Sequence, residues 1–241
     1  NDCGSYGIYI HGNDDDDIPI NPEIRNNVIN NTSNPIYLDD SLDGYTGQNR
    51  ITGNTGSGNT NNYIRLEKYL VGNVRLGTAN SFEWVFNAGA YVSSGAVWEL
   101  EPDEVIKFLR SYSSSYRLTV HGTLLADTTA DHPVVFTSFQ DDAYGYSLGT
   151  QAPATGDWSG IEIASDGTAV FDYAVVRYVG YEALIEVNSG GSLTLTNSTL
   201  EHGSSYGVYV NGVEEQSLIG NTINDCGSYG IYIHGNDDDD I

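Results

Sequence analysis

The chain contains no methionine, only two cysteines and six prolines among 241 residues. The missing methionine, position 1 included, fits a processed or excised piece of something longer. Cys3 and Cys226 occupy the same position in successive copies of one motif, so a disulfide framework within one copy is excluded. A Cys beside Gly on a tight coil reads as a small buried filler rather than a reactive thiol. Bases are scarce as well: nine Lys and Arg stand against 33 Asp and Glu, a net charge of −24. Nucleic acid is a poor partner for such a surface, because phosphates need Lys and Arg. Divalent cations are good partners, although acidity also serves simply to keep a secreted surface soluble. No apolar run reaches membrane-spanning length, and no signal peptide is present to be read. The wealth of Asn, Ser, Thr, Gly and Tyr with little Lys points to an extracellular or cell-surface protein.

Residues 1–18 and 224–241 are the same eighteen letters, NDCGSYGIYIHGNDDDDI. Packing fixes only size and polarity at each position, so letter identity reports duplication of a coding segment. The chain therefore reads as one period, residues 1–223, followed by the start of the next copy, 224–241. A shorter repeat lies inside it. Residues 198–210 align with 221–233 at an offset of 23, and 27–38 is a third version with one residue deleted. Apolar-x-apolar triplets at Ile161–Ile163, Ile185–Val187, Val208–Val210 and Ile231–Ile233 follow at intervals of 24, 23 and 23. Alternation within a triplet gives a strand with one buried face. Short strands recurring this way, separated by Gly, Asn and Ser, are the coils of an all-β solenoid.

Each coil buries its inner face only against neighbouring coils. Equivalent side chains should then form ladders, with Tyr206 over Tyr229 and Tyr209 over Tyr232. Gly207 and Gly230 are expected to supply a bend at positive φ. With ~23 residues per coil and ~4.8 Å between strands, one period should hold roughly ten coils and rise about 45–50 Å. Residues 39–94 fit least well; their Asn-Thr-Gly letters suggest irregular coils or protruding loops.

These units resemble the repeats of right-handed parallel β-helices, the pectate-lyase-like superfamily. The middle of the chain is similar to a segment of large bacterial and archaeal surface and secreted β-helix proteins. That segment runs from Gly95–Phe108 through Leu118–Ala126 and His132–Ser138 to Gly156–Ile161 and Tyr173–Tyr178. Where that family has a Pro-Gly turn, this chain has Pro102-Asp103. The resemblance implies a right-handed parallel β-helix and says little about activity.

Parallel β-helices often cleave acidic polysaccharides. Gln140-Asp141-Asp142 and His202-Gly203 look superficially like parts of a polygalacturonase site, in which paired carboxylates activate water and protonate the leaving group. They are about sixty residues apart, and the Asn-Thr-Asp and Arg-x-Lys partners are missing. A lyase needs a base, for which Lys68, Lys107 and seven Arg are available. Arg177, in a strand, should project outward beside Asp172 as a surface pair. His121 and His202 read as polar members of strand ends. No catalytic residue is assigned; a polysaccharide lyase or glycoside hydrolase remains the enzymatic alternative.

Three acidic clusters are candidate calcium sites: Asp14, Asp15, Asp16 and Asp17; Asp39, Asp40 and Asp43; and Asp141 with Asp142. Adjacent carboxylates repel, and calcium accepts six to eight oxygens in flexible geometry. None has EF-hand spacing. Asn30, Asn31 and Asn197 form glycosylation sequons. The expected function is structural: an extracellular fibre, stalk or filament whose partners are identical copies end to end, stiffened by Ca2+. The alternatives are a polysaccharide-binding protein, in which tyrosine ladders stack on sugars, and an adhesin or ice-binding surface. For ice binding, only Leu193–Thr196 carries the needed alternation. Neither nucleic-acid binding nor a membrane span is expected.

Overall fold

The computed structural model describes residues 4–11, 22–39, 51–70, 73–77, 80–110, 116–212 and 216–235. Among them no helix occurs, and every pairing between strands is parallel. The chain winds through three faces of strands, two of which join through Glu83–Val92 into one fourteen-stranded sheet, while Ile24–Arg25 and Ile51–Thr52 pair apart from them. One turn runs Val97–Leu100, Val105–Phe108, Leu118–Val120, and then Thr123–Asp127 lies alongside Val97–Leu100. The triplet sheet continues from Leu118–Val120 to Ile161–Ile163, Ala183–Val187, Tyr206–Asn211 and Ile231–His234. A second sheet continues from Val105–Phe108 through Val135–Ser138, Val175–Arg177 and Thr199–Gly203 to Thr222–Cys226. The third holds six strands, from Val74–Leu76 to Ser217–Ile219.

The triplets are in register as their spacing predicts: Ile161 on Ile185, Ile185 on Val208, Val208 on Ile231. Inward Val, Ile and Leu of all three sheets form one core. Within it Trp98, Phe86, Phe108 and Trp158 stack, the last two at 4.0 Å and 4°. Each large apolar side chain so buried stabilises by about 1.5–3 kcal/mol. From Tyr6–His11 the ladder passes through Asn34–Asp39, Tyr63–Leu70 and Glu83–Val92, then along the triplet sheet to Ile231–His234, in eight steps. Eight coils replace the expected ten because coil length is not uniform. Ile36 pairs with Ile64, 28 positions on, and Thr119 lies against Glu162, 43 positions on, across a loop at 139–157. Eight steps of ~4.8 Å give a rise of about 38 Å.

Corners recur with the coil. Tyr173, Asn197 and Gly220 have positive φ where the third sheet turns into the second, as do Asn26 and Gly53 directly after the separate pair Ile24–Arg25 and Ile51–Thr52. Asn31, Gly58, Tyr178, His202 and Asp225 do the same at the next corner. Gly, Asn and Asp tolerate this left-handed conformation best. Asp103 also adopts it, at φ 66°, so Pro102-Asp103 turns without the family's glycine. Gly207 and Gly230 do not have positive φ, contrary to expectation. Gly207 is needed for close approach: a Cβ there would lie 2.4 Å from the Gly230 carbonyl oxygen.

The stretch 39–94, least regular in its letters, contains the two longest strands, Tyr63–Leu70 and Glu83–Val92. Its asparagines serve the corners. Asn54 is fully buried and donates to the Asn80 side chain (3.0 Å) and the Ile24 carbonyl (2.9 Å), while accepting from Asn27 (3.0 Å). A buried amide is stable only when so satisfied.

Candidate functional site

The outward row of the triplet sheet reads Tyr91, Thr119, Glu162, Glu186, Tyr209, Tyr232 by register. Arg117 reaches both acids, Glu162 at 2.9 Å and Glu186 at 3.3 Å, with its guanidinium 4.5 Å from the Tyr181 ring. Burial pushes the Glu186 carboxyl up, Arg117 only partly opposing it. Burial acts on Glu162 too, but hydrogen bonds from Arg117, Asn188 and Thr119 outweigh it and hold that group below the usual range. Beyond the acids, Tyr206, Tyr209, Tyr229 and Tyr232 stack with ring centres 5.3–6.1 Å apart, in the ladders the repeat predicts. In the other copy of the motif Tyr6 stacks on Tyr9 at 5.0 Å, and Tyr37 of the adjoining rung stacks on Tyr9 at 5.2 Å and lies tilted against Tyr6 at 5.0 Å. The Tyr9 hydroxyl donates to Asp39 (2.7 Å), a bond that pushes its pKa up to about 12.

The duplicated rung is seen from both sides. In Ile231–His234 the inward residues Ile231 and Ile233 pair with Val208 and Val210 and stay 45% and 59% exposed. In Tyr6–His11 the same letters, Ile8 and Ile10, pair with Ile36 and Leu38 and pack on the core. What one copy leaves open, the other has covered.

A second polar assembly lies where the loop 139–157 folds over the second sheet. Lys107 is wholly buried, and its ammonium donates to the carbonyls of Asp141 (2.8 Å) and Tyr146 (2.6 Å). Burial pulls its pKa down, against the pull of Glu83, Asp141 and Asp142. The Asp141 carboxylate accepts from Thr137 (2.6 Å) and the Ala143 N–H (3.0 Å), with Arg177 at 3.5 Å. Buried Asp157 accepts from Ser138 (2.6 Å) and the Ala154 N–H (3.0 Å), and pairs with Arg110 at 2.7 Å. Arg177 is therefore no open surface pair with Asp172. It is 9% exposed, contacts Glu201 at 3.1 Å and lies against the rings of Tyr144 and Tyr178. Asp172 instead accepts from Thr196 and Asn197 at the far corner. His202 occupies a corner, stacked on Tyr178 at 4.8 Å, and His121 pairs with Asp166 at 2.8 Å.

The donor set around Asp141 and Asp142 does not fit a calcium ion. The carboxylate of Asp141 is already committed, and a lysine ammonium collects two loop carbonyls of the kind calcium would use. Asp39 is engaged by Tyr9, with His11 at 3.5 Å. Asp14, Asp15, Asp16, Asp17, Asp40 and Asp43 lie outside the described residues. Among the described residues no three His, Cys, Asp or Glu side chains are grouped to hold a metal. Cys226 is half-buried and free, its thiol pushed up by burial, as a filler would be.

Glu83 and Glu104 were not foreseen. Glu83 opens its strand and Glu104 stands just before one, and only the pairing of Trp84 with Ile106 brings them together. No local signal marks them. Among comparisons with known proteins, the family model described as right handed beta helix region matches residues 155–240. No curated protein and no solved structure shows significant similarity. The strands of the matched region continue the same parallel ladders as the described coils that precede it, so the parallel β-solenoid fold extends beyond the residues that the right handed beta helix model matches.

Proposed function

We propose that the protein is a structural, extracellular rod in which β-helical periods stack end to end into a stalk or filament. One observation carries the reading: the identical rung is stacked on Tyr206–Asn211 in one copy and paired with Asn34–Asp39 in the other. Laying one copy of the rung on the other joins the two ladders without a break, and the exposed Ile231 and Ile233 then meet the equivalents of Ile36 and Leu38. Unpaired strand edges are aggregation-prone unless covered, and a following period covers them in the same register. Chains of one, two and three periods, compared by small-angle X-ray scattering, should lengthen by about 38 Å per period at ~4.8 Å per rung. Increments of flexible beads on a string would sink the proposal.

The tyrosine strip favours a second reading, polysaccharide binding along the rod. Stacked rings beside two carboxylates and an arginine suit sugar faces and hydroxyls. Affinity for a neutral or acidic polysaccharide that vanishes in Tyr209→Ala/Tyr232→Ala supports it; its persistence in that variant refutes it.

A further inference from the structure

The loop 139–157 leaves a cleft of about 640 Å3 that end-to-end stacking does not use. Its walls carry three acids, Glu83, Asp103 and Glu104, of which Asp103 is already paired with the His132 imidazole at 2.8 Å. Its apolar lining is Phe82, Val105 and Val135, and the rings of Tyr144 and Tyr146 border it. Glu104 is 3% exposed, and its Oε2 has no hydrogen-bond partner. A buried carboxyl oxygen in that condition calls for a donor from outside the chain. Glu83 accepts from the Tyr146 N–H at 3.0 Å. The loop tip is shaped to that carboxylate: a Cβ on Gly145 would fall 2.5 Å from its Oε1, and Gly145 has φ 65°.

Lys107 acts on Glu83 at longer range but forms no ion pair with the acids of the cleft. Its ammonium is held by two loop carbonyls, and no carboxylate of the described residues lies within 4.0 Å of it. Burial, and then repulsion from Glu83 and Glu101, pushes the Glu104 carboxyl well above the usual range. A metal ion is the weaker match, because it demands more oxygens than these side chains group together. A neutral hydroxyl can donate to Glu104 but leaves the charge of the crowded acids unrelieved. An ammonium relieves them, and aromatic rings tolerate cations at their faces, as Tyr144 does with Arg177 at 5.3 Å.

We propose that this cleft binds a primary ammonium on an aliphatic stem, either a free amine or a lysine of a partner chain. The ammonium donates to Glu104 and Glu83, and the methylenes lie along Phe82, Val105 and Val135. The test is calorimetric titration of the full chain with n-pentylammonium chloride, n-pentanol, calcium chloride and a blocked Gly-Lys-Gly peptide. Saturable binding of pentylammonium, at least tenfold tighter than pentanol, is expected. Glu104→Gln should weaken it tenfold or more and Tyr144→Ala several-fold, while the surface control Asp127→Asn changes nothing. Tighter binding of the peptide identifies a partner's lysine as the natural ligand; equal or weaker binding identifies a free amine. Should Glu104→Gln fail to fold, the comparison of pentylammonium with pentanol on the unaltered chain decides. Equal affinity for the alcohol, calcium competing at equimolar concentration, or a Glu104→Gln variant that binds undiminished would each overturn the proposal.

Discussion

Appending residues 19–39 to the carboxyl end continues the repeat past its duplicated motif and should bury the open rung. Asn34–Asp39 pairs with Tyr6–His11 through Ile8–Ile36 and Ile10–Leu38. The appended copy should therefore pair with Ile231–His234 through the same contacts. Ile231 and Ile233 are 45% and 59% exposed, so covering both removes about one whole isoleucine side chain from water, worth about 1.5–3 kcal/mol. That is an upper bound, since ordering the added coil costs conformational entropy. At 1.4 kcal/mol per decade, amide exchange at residues 231–234 should slow by roughly 10- to 100-fold. Native-state hydrogen exchange read by NMR makes the measurement, with a scrambled 19–39 extension as control. Exchange no slower than in the control would refute both the register and the stacking built on it.

Two further outcomes follow from the polar groups. Burial raises the carboxyl groups of Glu83, Glu104 and Glu186, so the folded chain binds their protons more tightly than the unfolded one. Stability should then fall as pH rises from the ordinary carboxylate range through these raised values, Glu162 acting with the opposite sign. Tm should be higher at pH 5 than at pH 8 by scanning fluorimetry, and Glu104→Gln should narrow the gap; a higher Tm at pH 8 refutes this. Asn54→Ala removes a fully buried amide and leaves the Ile24 carbonyl and the Asn27 and Asn80 side chains short of partners. At about 1–3 kcal/mol for unsatisfied buried groups, a loss of about 3 kcal/mol is expected in chemical denaturation, and under about 1 kcal/mol would contradict the ladder.

The triplet sheet was legible because its signal is local. Alternation turns Glu162, Glu186 and Tyr209 outward and buries their neighbours, and a constant interval sets register by counting. Where the interval changes, counting fails. The 39–94 stretch looked irregular because its coils turn on Asn54 and Asn80, whose amides satisfy one another only across coils. The charged cluster was hidden for a related reason. Lys107 and Asp141 meet 34 positions apart through a loop carbonyl, and a backbone oxygen leaves no mark in the letters. The cation that stands near the Asp141 carboxylate is the chain's own Arg177, at 3.5 Å, and it comes from a strand 36 positions on.

The same rung occupies different rows at the two ends of the molecule. Ile231 belongs to the triplet sheet, whereas the row through Ile8, Ile36, Ile64 and Trp84 leads to Ile106 in the second sheet. The strand Glu83–Val92 makes the exchange: its first half feeds the second sheet and its second half starts the triplet sheet, with a register shift in the pairing that precedes it. In a tandem rod the outward row Glu162, Glu186, Tyr209, Tyr232 therefore continues as Tyr37, Arg65, Val85 and Lys107, and passes beneath the loop 139–157. Each period carries the tyrosine strip onto the next face. A ligand long enough to follow it would have to wind around the rod rather than run along one side, and the loop of every copy would stand as a barrier in its path.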